Sequence, residues 1–182
     1  LTEQQLIKGC VRQEHVAQKS VFDLYAKRMM GVCLRYARNE VDAEEILIEA
    51  FCKVFEKIHQ FKHEGSFEGW IRKIVVNVAL KKYSLIRFTY EKSFNYESNY
   101  EENYFQEEDS LSALGEKEIL TLINNLPDGY RLIFNLYVIE GYKHDEIAEL
   151  LKINSGTSRS QLAKARNMLQ KQILEMNKEV VR

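Results

Sequence analysis

Apolar residues recur at three- and four-residue intervals along most of the chain, the period of a helix with one buried face. Over residues 3–38 the stripe passes through Leu6, Ile7, Cys10 and Val11, then Val21, Phe22, Leu24 and Tyr25, then Val32, Cys33 and Tyr36, and predicts helix. The stretch NEVDAEEI interrupts it. Asp42 followed by Glu45 has capping-box spacing, so the next helix is expected from Ala43 to about Gln60. Its apolar stripe is Ile46, Leu47, Ala50, Phe51, Val54, Phe55 and Ile58. FKHEGS, residues 61–66, reads as a loop. Ser66 is placed to cap a third helix, FEGWIRKIVVNVALKKY, which ends near Tyr83. Its β-branched run IVVNVAL has helical spacing on both sides, so no strand is expected.

The pattern dissolves after that. YEKSFNYESNYEENYFQEEDS mixes acids, Asn, Ser and Tyr without a period, and residues 84–112 read as a flexible acidic linker. Helical spacing resumes over residues 113–182. Leu114, Ile119, Leu122, Ile123 and Leu126 form one piece, stopped by Pro127-Asp128-Gly129. YRLIFNLYVIE comes next, stopped by Gly141, and then HDEIAELL and GTSRSQLAKARNMLQKQILEM. The expected fold is all-α: a helical bundle over 1–83 and a second helical domain over 113–182, joined by the linker.

Charge sharpens this division. The chain of 182 residues is 45% apolar and 29% charged, with a net charge of −1. Residues 1–82 carry 14 Lys/Arg against 11 Asp/Glu, residues 83–115 carry 2 against 7, and residues 152–182 carry 7 against 2. A neutral total conceals an acidic middle and a basic end. Cys10, Cys33 and Cys52 lack CxxC spacing and read as core fillers of a reducing, cytoplasmic protein. No apolar run approaches the roughly 18–20 residues of a membrane helix, and no signal peptide is evident.

Candidate chemistry lies in DEIAELLKINSGTSRSQLAKAR, residues 145–166. Ile147, Ala148 and Leu151 give one inner face, Ile153 plugs the turn, and Leu162, Ala165 and Leu169 give a second. The outer side of the second helix offers Thr157, Arg159, Ser160, Gln161, Lys164 and Arg166, residue types that bond phosphates and base edges. Two readings stand: a DNA-binding helix-turn-helix, or a helical hairpin with a solvated basic face. From Lys152 to Lys171 there are five basic residues and no carboxylate, which favours the first, because acids facing phosphates oppose binding.

LINNLPDGYRLIFNLYVIEGYKHDEIAELLKINSGTSRSQLAKARNML resembles region 4 of bacterial RNA polymerase sigma factors. DAEEILIEAFCKVFEKIHQFKHEGSFEGWIRKIVVNVALKKY resembles region 2 of the same family. The two in this order, with a short linker, resemble the extracytoplasmic-function (ECF, group IV) subfamily. The resemblance implies a promoter-specificity subunit with no catalysis and no cofactor. Its implied partners are core RNA polymerase (β′ clamp helices and β flap), promoter DNA and, as is common in that family, an anti-sigma factor. Asp42, Glu45 and Glu49 would contact the clamp helices. The loop with Lys62 and Ser66, and the helix with Trp70, Arg72, Lys73, Asn77, Lys81 and Lys82, would read and open the −10 element. Thr157, Arg159, Ser160, Gln161, Lys164 and Arg166 would read the −35 element. The acidic linker would thread toward the active-site cleft.

Four positions depart from the family pattern: Ile48 in place of Gln, Lys143 in place of a capping Ser, Lys152 in place of a turn Gly, and Ser158 in place of an inward aliphatic. Losing that aliphatic packing would cost about 1 kcal/mol. Ser158 is expected to bond a backbone carbonyl or serve in capping instead. Other readings stay open at several residues. Trp70 is either core or a DNA wedge. Lys81 and Lys82 suit a helix C-terminus as well as DNA. The acids at 42–49 suit a protein-binding face or a solvated one. His59 and His63 have zinc-compatible spacing, but HQFKH lacks the Glu of HExxH. Two rival functions remain, an autonomous dimeric helix-turn-helix regulator and a metal-dependent helical hydrolase. The first leaves residues 1–83 unexplained.

Overall fold

Thr2 opens the first helix through a reciprocal cap: its Oγ1 accepts from the Gln5 backbone N–H at 3.3 Å, and its own N–H donates to Gln5 Oε1 at 2.8 Å. This helix, α1 (Glu3–Val11), is succeeded by α2 (His15–Tyr36), α3 (Glu40–Lys57), a 3₁₀ turn (Ile58–Gln60) and α4 (Phe67–Tyr90). After them come α5 (Glu116–Asn124), α6 (Asp128–Phe134), a π turn (Asn135–Ile139), α7 (His144–Leu151) and α8 (Ser155–Val180). The structure, a computed structural model, describes residues 1–90 and 115–180. From residue 91 onward the expected linker lies outside the described residues. Among the described residues there is no strand. The chain divides into two units, Leu1–Phe94 and Asn95–Arg182.

In the N-terminal unit the single helix expected over 3–38 is broken. The backbone at Gln13 turns left-handed (φ 60), and the Glu14 N–H reaches back to the Gly9 carbonyl at 3.0 Å. Gly9 is what lets α1 and α2 meet there: a Cβ on it would lie 2.6 Å from the Ala17 Cβ. α3 begins at Glu40 rather than Ala43. Asn39 is its cap, accepting from the Asp42 N–H at 2.8 Å, so Asp42 sits in the first turn instead of the cap position. Ser66 does cap α4, accepting from the Gly69 N–H at 3.1 Å. The core is apolar throughout: Leu6, Val21, Met29, Val32, Phe51, Val54, Phe67, Ile71, Val75 and Val76 are all buried. Cys10 and Cys33 fill it as expected, but Cys52 is exposed. Cys52 falls on the outward line of α3 with Val41, Glu45 and Ile48, spaced four, three and four apart.

The C-terminal unit packs α6, α7 and α8 around Leu132, Ile133, Leu136, Ile147, Leu162 and Ala165, all buried. Pro127 starts α6. The helix expected to run on to Glu140 widens instead into the π turn, where the Glu140 N–H bonds the Asn135 carbonyl at 2.9 Å. Gly141 at φ 76 then reverses the chain.

Between α7 and α8 Lys152 stands left-handed (φ 54, ψ 44), where its Cβ crowds the following carbonyl. Lys152→Gly therefore stabilises this unit by about 1 kcal/mol. Chemical denaturation of the two proteins checks this, and an unchanged or lower midpoint for the glycine variant would count against strain at the turn.

Candidate nucleic-acid and partner-binding surfaces

Helical spacing on α4 separates the residues expected at the −10 element into three groups. Ser66, Trp70, Lys73, Asn77 and Lys81 succeed one another three or four apart along one stripe. Lys73, Asn77 and Lys81 are exposed and Trp70 is half-buried. Lys62 lies in the exposed loop beside the stripe's start. Arg72 and Lys82 do not join it; both are half-buried on other sides of the helix. At the stripe's head an aromatic cluster shapes the loop. Phe61 and Phe67 are buried with ring centroids 5.2 Å apart, and each touches Trp70, at 5.6 and 5.9 Å. Trp70 is thus neither sealed in the core nor fully free: one part packs on phenylalanines and the rest faces solvent. His63, in left-handed backbone (φ 59), leans on Phe61 at 4.8 Å. It lies beyond the 3₁₀ turn that carries His59, so the two histidines do not share a helix. Among the described residues, no three His, Cys, Asp or Glu side chains gather as a metal site would need.

Lys82 points to α3. Its ammonium forms ion pairs with Asp42 (3.5 Å) and with Glu45. Burial alone would lower its pKa, but the hydrogen bond and charge of Glu45 and the charge of Asp42 outweigh it and raise it. Glu49 bonds Lys53 at 2.6 Å. That bond, against a weaker effect of burial and with the charges of Lys53, Lys81 and Lys82, lowers the Glu49 pKa. The three carboxylates expected at the polymerase are therefore partly balanced by lysines of the same unit. Alongside them α3 exposes Val41 at 63% and Ile48 at 61%. Ile48 supplies apolar surface where a polar contact is usual in the resembled family, and an amphipathic outer face results.

In the C-terminal unit α7 and α8 form the helix-turn-helix. Ile147 and Ala165 are wholly buried between them. Lys143 offers no acceptor at the head of α7. Glu146 supplies half a cap instead, its carboxylate accepting from the Lys143 N–H at 2.7 Å. The Asn154 Oδ1 opens α8 by accepting from the N–H groups of Gly156 and Thr157. The six residues expected to read DNA again divide. Arg159, Ser160 and Arg166 are exposed on the outer face, with Ala163 between them. Thr157, Gln161 and Lys164 are half-buried on a flank. Gln161 lies against the first turn of α6, so that a Cβ on Gly129 would come within 3.1 Å of its Oε1. Residue type alone does not single out Ser155 and Ala163, which the three- and four-residue spacing from Arg159 and Arg166 places on the same side.

Ser158 is wholly buried in the inward position an aliphatic would take, and its hydroxyl meets a side chain of α7 rather than the expected backbone carbonyl or cap. Its Oγ lies 2.9 Å from His144 Nδ1, in the first turn of α7. The imidazole stacks on Tyr137 of the π turn, with centroids 4.3 Å apart and planes 21° from parallel. Partial burial and the charge of Arg159 lower the His144 pKa; Asp145 acts the other way, and Arg166 adds to the lowering.

Comparison with known proteins gives the same two regions. A family model described as sigma-70 region 2 matches residues 21–85, and one described as sigma-70, region 4 matches residues 116–169. The chain is 27% identical over 184 residues to the ECF RNA polymerase sigma-E factor of Haemophilus influenzae, with 95% of this chain and 96% of that one covered. It is 25% identical over 179 residues to the ECF RNA polymerase sigma factor SigW of Bacillus subtilis, with 93% and 96% covered. Among solved structures, the sigma factor RpoE of Bartonella quintana, in complex with the anti-sigma factor NepR, aligns with a TM-score of 0.52 at 19% identity, covering 86% of this chain and 96% of that one. CnrH, in complex with the cytosolic domain of CnrY, aligns at 0.50 and 14% identity, covering 94% and 96%. At such identities the structures speak to the fold alone.

Proposed function

We propose a division of labour between the two units, from the premise that this chain belongs to the sigma-70 family of RNA polymerase subunits, in its extracytoplasmic-function group. As a member it is a promoter-specificity subunit, and an autonomous regulator is not favoured, because the region 2 match would then have no role. The outer face of α8, with Arg159, Ser160 and Arg166, reads the −35 duplex from the major groove. The stripe from Ser66 through Trp70, Lys73, Asn77 and Lys81, with Lys62 beside it, holds the opened −10 strand. Lysines track the phosphates, and the half-exposed Trp70 offers a stacking surface. Unstacking a base costs a few kcal/mol, which such contacts recover without a nucleotide cofactor. Asp42, Glu45 and Glu49, with Val41 and Ile48, dock on the polymerase clamp, and the C-terminal unit on the β flap.

Arg72, Lys82, Thr157, Gln161 and Lys164 take supporting roles in this reading. Lys82 braces α3 against α4, and Gln161 sets α8 against α6. The chain performs no bond chemistry of its own; the polymerase supplies it, in the cytoplasm. No described helix is long and apolar enough to cross a membrane. The anti-sigma factor in complex with one structural neighbour makes such a protein a reasonable partner here too.

One observation carries the duplex half most directly: Arg159 and Arg166 stand exposed on a helix that the buried Leu162 and Ala165 lock into the unit. The test is reconstitution. Core polymerase plus this chain initiates from promoters selected from a random library, and neither component does so alone. Lys73→Ala combined with Lys81→Ala lowers open-complex formation while leaving closed-complex binding through −35 in place. Equal losses in both steps would remove the assignment of the α4 stripe to the opened strand.

A further inference from the structure

We propose that His144 is the positioning residue of the reading helix: clasped to the buried Ser158 and stacked on Tyr137, it fixes where Arg159 meets the duplex, and it takes up a proton when DNA phosphate arrives. The inference rests on the −35 reading above and adds a coupling to it. Ser158 and Arg159 are neighbours in the first turns of α8, so a bond that holds one sets the start of the other. The bond joins α7 to α8 across the helix-turn-helix, at 2.9 Å. Leu162 and Ala165 pack lower on α8, whereas the His144–Ser158 bond is a polar tie between the two helices near the head of α8. Tyr137 gives the imidazole a floor, and the π turn is the element that brings it there.

Several charged groups surround the ring. Arg159 and Arg166 act on it by charge from α8, Asp145 neighbours it on α7, and Tyr137 stacks on it from the π turn. Without DNA partial burial comes first, and the charges of the two guanidinium groups after it, in holding the His144 pKa down. A backbone phosphate between the arginines cancels their charge and adds a negative one, so the same ring gains a proton on binding. Proton uptake means tighter binding at lower pH. In the free protein the sign is opposite. A histidine whose folded pKa lies below its unfolded value of about 6.5 contributes stability above that pH and loses it as the pH falls toward the folded value. Acid therefore loosens the free unit and tightens its complex.

The experiment uses reconstituted holoenzyme and a duplex promoter at fixed salt, with closed-complex affinity measured from pH 8 to pH 6. The wild type binds more tightly toward pH 6, by no more than about tenfold per pH unit for one proton. His144→Asn, whose amide oxygen can still accept from Ser158, restores much of what His144→Ala loses at pH 8, yet its affinity no longer tightens with acid. An asparagine variant that reproduces the wild-type pH profile overturns the proton coupling. An asparagine variant that binds no better than the alanine variant, or an alanine variant that binds like the wild type, overturns the positioning role. A wild type that ignores the −35 sequence at every pH sinks the duplex reading itself, which is a separate and visible failure.

Discussion

Replacing Phe67 by alanine strips about 3–5 kcal/mol from the N-terminal unit and abolishes promoter opening while −35 binding persists. Phe67 is 1% exposed at the first position of α4. Its ring meets Tyr25 edge-on at 5.7 Å, Phe61 at 5.2 Å and Trp70 at 5.9 Å. Truncation removes its own burial and leaves these three rings around a void, and aromatic pairs add about 0.5–1.5 kcal/mol each beyond area. A domain of this size has a total stability of about 5–15 kcal/mol, so the loss consumes a large share of it. The melting point of the unit should fall by more than about 10 °C. The chain's single tryptophan, Trp70, reports this locally, since its fluorescence depends on the cluster it belongs to. The opening defect has the same cause. Phe61 and Phe67 anchor the loop over 61–66 and seat Trp70, so losing Phe67 frees the head of the α4 stripe. The C-terminal unit has its own core and keeps its fold. A melting shift of only a degree or two, or open complexes at the wild-type level, would show that the cluster does not shape this surface.

The elements legible in the sequence are those whose cause is periodic. The apolar stripes of α3, α4 and α8 emerge where spacing puts them, and Ser66 caps α4 because the cap is local chemistry. The family resemblance, carried by two ordered motifs, stands on the matches at residues 21–85 and 116–169. What spacing does not reveal depends on contacts between elements. The break at Gln13 comes from the close approach of Gly9 to Ala17, which one helix's pattern cannot show. The π turn at Asn135–Ile139 leaves the local apolar pattern intact, so residues 130–140 read as one helix. Ser158 is visibly out of place for packing, but its partner lies fourteen residues away on another helix. The candidate site residues divide for a simpler reason. Composition groups Gln161 and Lys164 with Arg159, whereas helical spacing sets them on a different flank of α8, where Gln161 lies against Gly129 of α6. Composition likewise groups Lys82 with Lys81, although adjacent helical residues face different directions, and Lys82 turns to Asp42 and Glu45.

That division of α8 gives the second large effect. Arg159→Ala weakens −35-dependent closed-complex formation by about 1–3 kcal/mol, the range for a bidentate arginine–base contact, or roughly five- to 150-fold in affinity. The loss is specific: preference at one base pair of the −35 element relaxes, and the others hold. Gln161→Ala, though glutamine is a common adenine reader, changes base preference little, because its side chain lies against Gly129 rather than on the outer face. Its cost appears as a modest loss of stability in the C-terminal unit. Selecting −35 sequences from a randomised promoter library with wild-type, Arg159→Ala and Gln161→Ala holoenzymes separates the two. If Gln161→Ala relaxes a base position while Arg159→Ala weakens all sequences alike, then Arg159 contacts only phosphate. α8 would in that case enter the groove by its flank, with Thr157, Gln161 and Lys164 as the reading residues after all.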